Sequence, residues 1–178
     1  MTKSSFEIQK LELPGVLLIQ PKLWRDNRGF FVETFHQEAL VAAGITHSFV
    51  QDNLSFSKKG VLRGMHFQKK PHAQAKLVRC VAGRILDVVA DHNPDSPTFG
   101  KHVAVELSGE RQDILYVPAD YAHGLCVLSD EALVEYKVSD YYHPESASGV
   151  RYDSPAFNIA WPIADPILSK QDTELPIL

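Results

Sequence analysis

Four side chains able to do chemistry fall where alternating strands should carry hydrocarbon. Between Gly60 and Gly83 (GVLRGMHFQKKPHAQAKLVRCVAG) two apolar-alternating runs flank a polar connection, Lys69-Lys70-Pro71-His72. Alternation puts Leu62, Gly64, His66 and Gln68 on one face of the first run, and Lys76, Val78, Cys80 and Ala82 on one face of the second. The same rule groups His123 with Leu125 and Val127, and Tyr136 with Val134 and Val138. A lone histidine on an apolar face is usually a hydrogen-bonded core residue, and a buried tyrosine needs only one partner. A lysine is different, because an unpaired buried ammonium is costly enough to shift its own pKa. Four such groups in one small domain are better explained by one polar pocket than by four separate exceptions.

Metal chemistry is the first to test, since small β-barrels commonly hold a metal through a His-x-His pair with a glutamate and a later histidine. Here His66 is followed by Phe67 and Gln68, and the next histidine, His72, sits in a proline-containing loop. His123, after Pro118-Ala119-Asp120-Tyr121-Ala122, keeps only the later position. Scattered histidines do not make a three- or four-ligand site. Without a metal, the set suits proton transfer. A neutral His66 can take a proton, the Tyr136 phenol can return one, and the Lys76 ammonium can stabilise an enolate oxygen. That is the equipment for inverting a carbon next to a carbonyl, which needs a base and an acid on opposite faces.

The elements that must position these groups read as strands. Short β-branched and aromatic runs recur at Val16 to Ile19, Phe30 to Phe35, Ser48 to Asn53, Val61 to Gln68, Ala75 to Ala82, Ile85 to Ala90, Val103 to Leu107, Ile114 to Val117, Gly124 to Leu128 and Leu133 to Val138, with turn residues in nearly every gap. One short helix is expected over His36 to Gly44, where Ala and Leu dominate and Gly44 supplies a stop. From Ser139 onward the chain reads as loop and turns. The pattern predicts an all-β jelly-roll-like barrel with short peripheral helices. At 178 residues it predicts one domain. Eighteen Lys and Arg against 22 Asp and Glu leave a net charge of -4, with no basic excess to suggest nucleic acid or an anionic membrane as partner. Cys80 and Cys126, without CxxC spacing, read as buried thiols of a reducing compartment. No apolar stretch is long enough to span a bilayer and the N-terminus lacks a signal-like apolar region, so a soluble cytoplasmic protein is expected.

An ordered set of motifs, Asp26-Asn27-Arg28-Gly29-Phe30-Phe31, Val50-Gln51-Asp52-Asn53, Val61-Leu62-Arg63-Gly64-Met65-His66-Phe67-Gln68, Ala73-Gln74-Ala75-Lys76-Leu77-Val78-Arg79, Ser96-Pro97-Thr98-Phe99-Gly100, Ala122-His123-Gly124 and Trp161-Pro162, resembles the dTDP-4-dehydrorhamnose 3,5-epimerase family. The likeness runs from about Leu13 to Asp172. It implies a cupin-like fold that is free of metal and cofactor and inverts C3 and C5 of dTDP-4-dehydro-6-deoxy-D-glucose, giving dTDP-4-dehydro-L-rhamnose. By match, His66 would be the base, Asp172 its orienting carboxylate, Tyr136 the acid on the opposite face and Lys76 the group at the C4 oxygen. Arg63 and His123 would contact the diphosphate and sugar region, Gln51 and Asn53 the nucleotide side, and Tyr142 would stack on the thymine. The resemblance also implies a homodimer, in which the N-terminal strands (about residues 13–35) bring Arg28, Phe31 and Glu33 to the partner's site. Independently of the family, Phe30 and Phe31 point to opposite faces of one strand, so one of them needs another surface.

Two positions depart from the family pattern: Ala147 stands where Glu is usual, and Gln171 where Lys is usual. Both bear on substrate contacts and preference, and neither removes a proton-transfer group. The alternatives are a relative that inverts only C3 or only C5, and, more distantly, a non-catalytic sugar-nucleotide-binding cupin or a metal-dependent one. Arg63 and His66, three residues apart, can reach one pocket only if the strand bulges, and Gly64 marks the place.

Overall fold

The computed structural model describes residues 5–178. Thirteen strands and two short helices follow one another among these residues: β1 (Phe6–Lys10), β2 (Leu17–Pro21), β3 (Leu23–Asp26), β4 (Gly29–Val32), α1 (Gln37–Ala42), β5 (Gln51–Lys58), β6 (Leu62–Gln68), β7 (Lys76–Ala82), β8 (Arg84–Ala90), β9 (His102–Ser108), β10 (Ile114–Val117), β11 (Ala122–Val127), β12 (Glu131–Val138), β13 (Ala147–Gly149) and α2 (Lys170–Thr173). A six-stranded sheet, ordered β1-β2-β10-β7-β12-β5, faces a five-stranded sheet, β13-β6-β11-β8-β9. All named strand pairs are antiparallel. This is the expected all-β, jelly-roll-like architecture. The sequence-predicted strands all form, with ends displaced by a few residues, and β1, β3, β13 and α2 are additions to them.

Alternation explains the layers. Val78 and Cys80 of β7, Val134 of β12, Leu125 and Val127 of β11 and Ile85 and Val89 of β8 all turn into the space between the sheets, where they form one buried cluster. The opposite face of the six-stranded sheet, with Leu17, Ile19, Leu77, Ile114 and Tyr116, is covered by Leu40 of α1 and by Ile45. Met65, Val88, Ala90 and Ala122 on the outer face of the five-stranded sheet are covered by Val150 and Phe157 of the C-terminal segment. Both sheets are therefore apolar on two faces over much of their area, and the loop-rich tail after Ser139 is a cover for the second sheet.

The β3-β4 hairpin belongs to neither sheet. Its two-residue turn, Asn27-Arg28, leads into Gly29 at φ +128, and Asp26 holds the Arg28 guanidinium at 2.6 Å. Phe30 and Phe31 are both exposed, Phe31 at 68%, beside exposed Trp24. Neither finds a core within its own chain, because the hairpin has no sheet behind it.

Candidate active site

Strand β6 sets the geometry. Its pairing with β11 matches His123 to His66 but Leu125 to Arg63, so two steps on β11 oppose three on β6. The extra residue lies at Gly64, whose φ is +128 and whose absent Cβ would stand 2.5 Å from Gly124 Cα. The bulge turns Arg63 and His66 to the same side, where both line a cavity of about 270 Å³. The strict alternation that grouped Leu62 and Gly64 with His66 thus breaks at this glycine, as the spacing of Arg63 and His66 required.

Lys76, His123 and Tyr136 reach the same cavity from β7, β11 and β12. His66 and Lys76 come from opposite sheets, and the Lys76 ammonium donates to the His66 carbonyl at 3.3 Å. Burial pushes the Lys76 pKa down to about 8, against the opposing pull of the Asp87 carboxylate. His66 Nε2 lies 2.5 Å from Asp172 Oδ1. Asp172 is supplied by the C-terminal tail. A parallel bridge pairs Val61 with Ile167, Ile167 N–H donates to the Gly60 carbonyl, and Ser169 then caps α2, donating its hydroxyl to Asp172 Oδ2 at 2.7 Å. Burial works to raise the Asp172 carboxyl, but the hydrogen bonds from His66 and Ser169 outweigh it and hold the pKa below the usual carboxylate range. With Asp172 ionised, the shared proton sits on His66 Nε2, which leaves Nδ1 as the basic nitrogen.

A second pair is buried more deeply. His123 Nε2 donates to Asp87 Oδ1 at 2.8 Å, and Asp87 is fully buried. Burial lowers the His123 pKa despite the neighbouring carboxylate, so its imidazole is neutral at pH 7. Tyr136 is pushed up by burial, against the nearby Arg63 charge, and is a protonated phenol at neutral pH. The cavity thus gathers two imidazoles, each held by a carboxylate, one buried ammonium, one phenol and one guanidinium, the last also bonded to Ser57 Oγ at 3.0 Å. Among the described residues this is a set able to abstract, stabilise and return a proton.

Tyr142 lines the rim and is half exposed, its backbone N–H donating to Gln51 Oε1 at 3.3 Å. Gln51 and Asn53 bond to each other at 2.8 Å and share the inward face of β5 with Ser55, which does line the cavity. Arg28, Phe31 and Glu33 do not reach it from their own chain; Glu33 accepts from Ser5 Oγ at 2.5 Å. Sequence reasoning missed Ser55, Gln74 and Ser148 as lining residues. Ser55 was open to discovery, since it follows Asn53 by two along the same strand. The two departing residues, Ala147 and Gln171, both line the cavity. A larger open cleft of about 730 Å³ lies by Pro14, Gly15, Pro118 and Tyr121, and none of the predicted site residues borders it.

Comparison with known proteins shows the family. Residues 10–178 match the family model described as dTDP-4-dehydrorhamnose 3,5-epimerase. The chain is 49% identical over 164 residues to the dTDP-4-dehydrorhamnose 3,5-epimerase of Shigella flexneri, a match covering 92% of this chain and 91% of that one. It superposes with a TM-score of 0.94, at 42% identity over 97% of this chain and 99% of that chain, on the Bacillus anthracis dTDP-4-dehydrorhamnose 3,5-epimerase solved with TDP and PPi bound. The dTDP-6-deoxy-D-glucose-3,5-epimerase of Legionella pneumophila, solved in complex with dTDP-4-keto-L-rhamnose, gives a TM-score of 0.93 at 42% identity, over 97% of this chain and 92% of that chain. Shared sequence and shared fold over nearly the full length place the chain, an isomerase, in the dTDP-4-dehydrorhamnose 3,5-epimerase family.

Proposed function

We propose that the chain converts dTDP-4-dehydro-6-deoxy-D-glucose to dTDP-4-dehydro-L-rhamnose by inverting C3 and C5, each next to the C4 ketone. The observation that carries the mechanism is the His66–Asp172 pair at 2.5 Å on one wall of a cavity that also holds the buried Lys76 and Tyr136. His66 Nδ1 takes the proton from the carbon, and the C–H electron pair moves into an enolate. The negative charge that develops on the C4 oxygen is met by the Lys76 ammonium, which at a pKa of about 8 is largely protonated at neutral pH. Tyr136 then delivers its phenolic proton to the opposite face of the carbon, which inverts it. Asp172 holds the imidazole in the tautomer that leaves Nδ1 free and stabilises the imidazolium once formed. Arg63 and His123 bind the diphosphate and sugar region, Gln51 and Asn53 the nucleotide side, and Tyr142 stacks on the base.

Within this reading the working unit is a homodimer. The exposed β3-β4 hairpin carries Arg28 and Phe31, and the residue after it is Glu33; all three lie away from their own cavity and are offered to that of a second copy. No helix among the described residues is long and apolar enough to cross a membrane; we assign the enzyme to the cytoplasm, with its sugar-nucleotide substrate, and to no nucleic-acid partner.

Proton NMR of the purified protein with its substrate in D2O tests the reaction. Deuterium is expected at both C3 and C5, with the rate unchanged by EDTA. Exchange at one carbon alone reassigns the chain as a mono-epimerase, and tight binding with no exchange reduces it to a binding protein.

A further inference from the structure

Asp87 is fully buried, and one of its two oxygens goes unused. Oδ1 accepts from His123 Nε2 at 2.8 Å, whereas Oδ2 is buried with no hydrogen-bond partner among the described residues. A carboxylate oxygen left in this way destabilises the fold, so its presence needs a reason. Asp87 does not border the cavity, and the reason is therefore not contact with substrate.

Its place between the sheets supplies one. On β8, Asp87 alternates with Ile85 and Val89, and those two pack against Val78 and Cys80 of β7. Lys76 shares that face of β7 with Val78 and Cys80, so the carboxylate stands across the core from the strand that carries the buried ammonium. The other groups around Lys76 do not balance its charge. Arg63 of β6 is a like charge, and the Tyr136 phenol of β12 and the His123 imidazole of β11 are neutral at pH 7. Burial pushes the Cys80 thiol up to about 11, so it carries no charge either. Asp172 has Oδ1 committed to His66 and Oδ2 to Ser169. The ammonium itself donates to the His66 carbonyl, a neutral acceptor, at 3.3 Å.

We infer that Asp87 is a positioning residue for the epimerisation, its unpaired Oδ2 supplying the counter-charge that keeps Lys76 an ammonium inside the core, given the role proposed above for Lys76 at the C4 oxygen. Burial alone drives the lysine towards the neutral amine, which has no charge to set against an enolate. The Asp87 carboxylate pulls the other way, and the balance leaves the Lys76 pKa at about 8. The bond from His123 to Oδ1 fixes the carboxylate in place. Asp87 thus acts on the reaction through Lys76, from beneath the cavity and without touching the sugar.

Lysine labelled with 13C at Cε reports the Lys76 midpoint in the full chain without substrate, the resonance being assigned by its loss in Lys76→Met. In Asp87→Asn, whose side-chain oxygen still accepts from His123, the midpoint is expected to fall from about 8 to about 7 or below. The alkaline limb of kcat/KM for deuterium exchange should move to lower pH by the same amount. An unchanged Lys76 midpoint overturns the proposal, and so does a fall in turnover that is equal at every pH, which is the mark of a purely structural role. If Asp87→Asn does not fold, the wild type decides. The 13C shift of the Asp87 carboxyl carbon should then show a step at the Lys76 midpoint that vanishes in Lys76→Met, and a wild-type trace without that step is the contrary result. Failure of the wild type to exchange at C3 and C5 counts against the proposed reaction, whereas the substrate-free midpoint still decides whether Asp87 holds the charge on Lys76.

Discussion

With its ammonium buried between two sheets and its pKa brought down to about 8, Lys76 makes the folded state less stable than an apolar side chain in its place would. From about pH 8 to the ordinary value near 10.5 the unfolded chain binds the extra proton, so this group makes stability rise with pH across that window. Below about pH 8 its penalty is fully present. Lys76→Met should therefore stabilise the protein at pH 7 by about 1–3 kcal/mol in urea titration while lowering turnover at least ~100-fold. A variant that loses both activity and stability would show that the ammonium is held by partners other than those seen. Asp172 has the opposite sign. Its depressed pKa gives stability that is present above its unfolded value near 3.8 and is lost as pH falls through the folded one. Asp172→Asn keeps the shape but removes the acceptor that fixes the His66 tautomer. Deuterium exchange at C3 and C5 should fall about 100-fold or more, with the far-ultraviolet circular dichroism unchanged.

Among the elements, β6 shows what a local rule can and cannot convey. Alternation assigned the inward faces of β7, β11 and β12 correctly, because their apolar neighbours keep a strict period of two. On β6 the period is interrupted, and the only sign was a glycine between two polar residues that both needed to face inward. Gly64→Ala tests that reading: an alanine Cβ would meet Gly124 Cα at 2.5 Å and sit at φ +128. A loss of about 2–4 kcal/mol in denaturant unfolding is expected, with any folded fraction impaired in substrate binding through a displaced Arg63. Strand β5 was placed early, ending at Asn53 instead of Lys58, because its pattern is inverted. Gln51, Asn53, Ser55 and Ser57 face inward, while Leu54 and Phe56 are exposed at 64% and 53%. A strand that turns polar groups to a pocket and apolar groups outward looks like a strand about to stop. The three-residue β13 and the four-residue α2 are too short for any period to register, so Asp172 was reachable only through the family resemblance and not through local structure.

At the scale of the molecule, Trp24, Phe30 and Phe31 on the hairpin and Leu54 and Phe56 on β5 are large apolar groups with no cover in their own chain. They give the proposed dimer its physical basis, and the proposed placing of Arg28 in the partner's site makes it testable by complementation. His66→Ala and Arg28→Ala subunits, each nearly inactive alone, should recover about a quarter of wild-type activity when refolded together in equal amounts, since half of the dimers then carry one intact site of two. Recovery no greater than the sum of the separate variants would place Arg28 outside the partner's site. The tail that delivers Asp172 has a further meaning for how the protein is made. Residues 5–138 contain both strands of every sheet pairing except that of β13, whereas the carboxylate that orients His66 lies at position 172 and the last residue, Leu178, is bonded through N–H and carbonyl to Ser154 Oγ. Synthesis runs towards that end, so a ribosome-bound chain can close its barrel before its base is aligned. Within the proposed mechanism, a chain that stops before residue 172 lacks the carboxylate that orients its base, whatever the state of its two sheets.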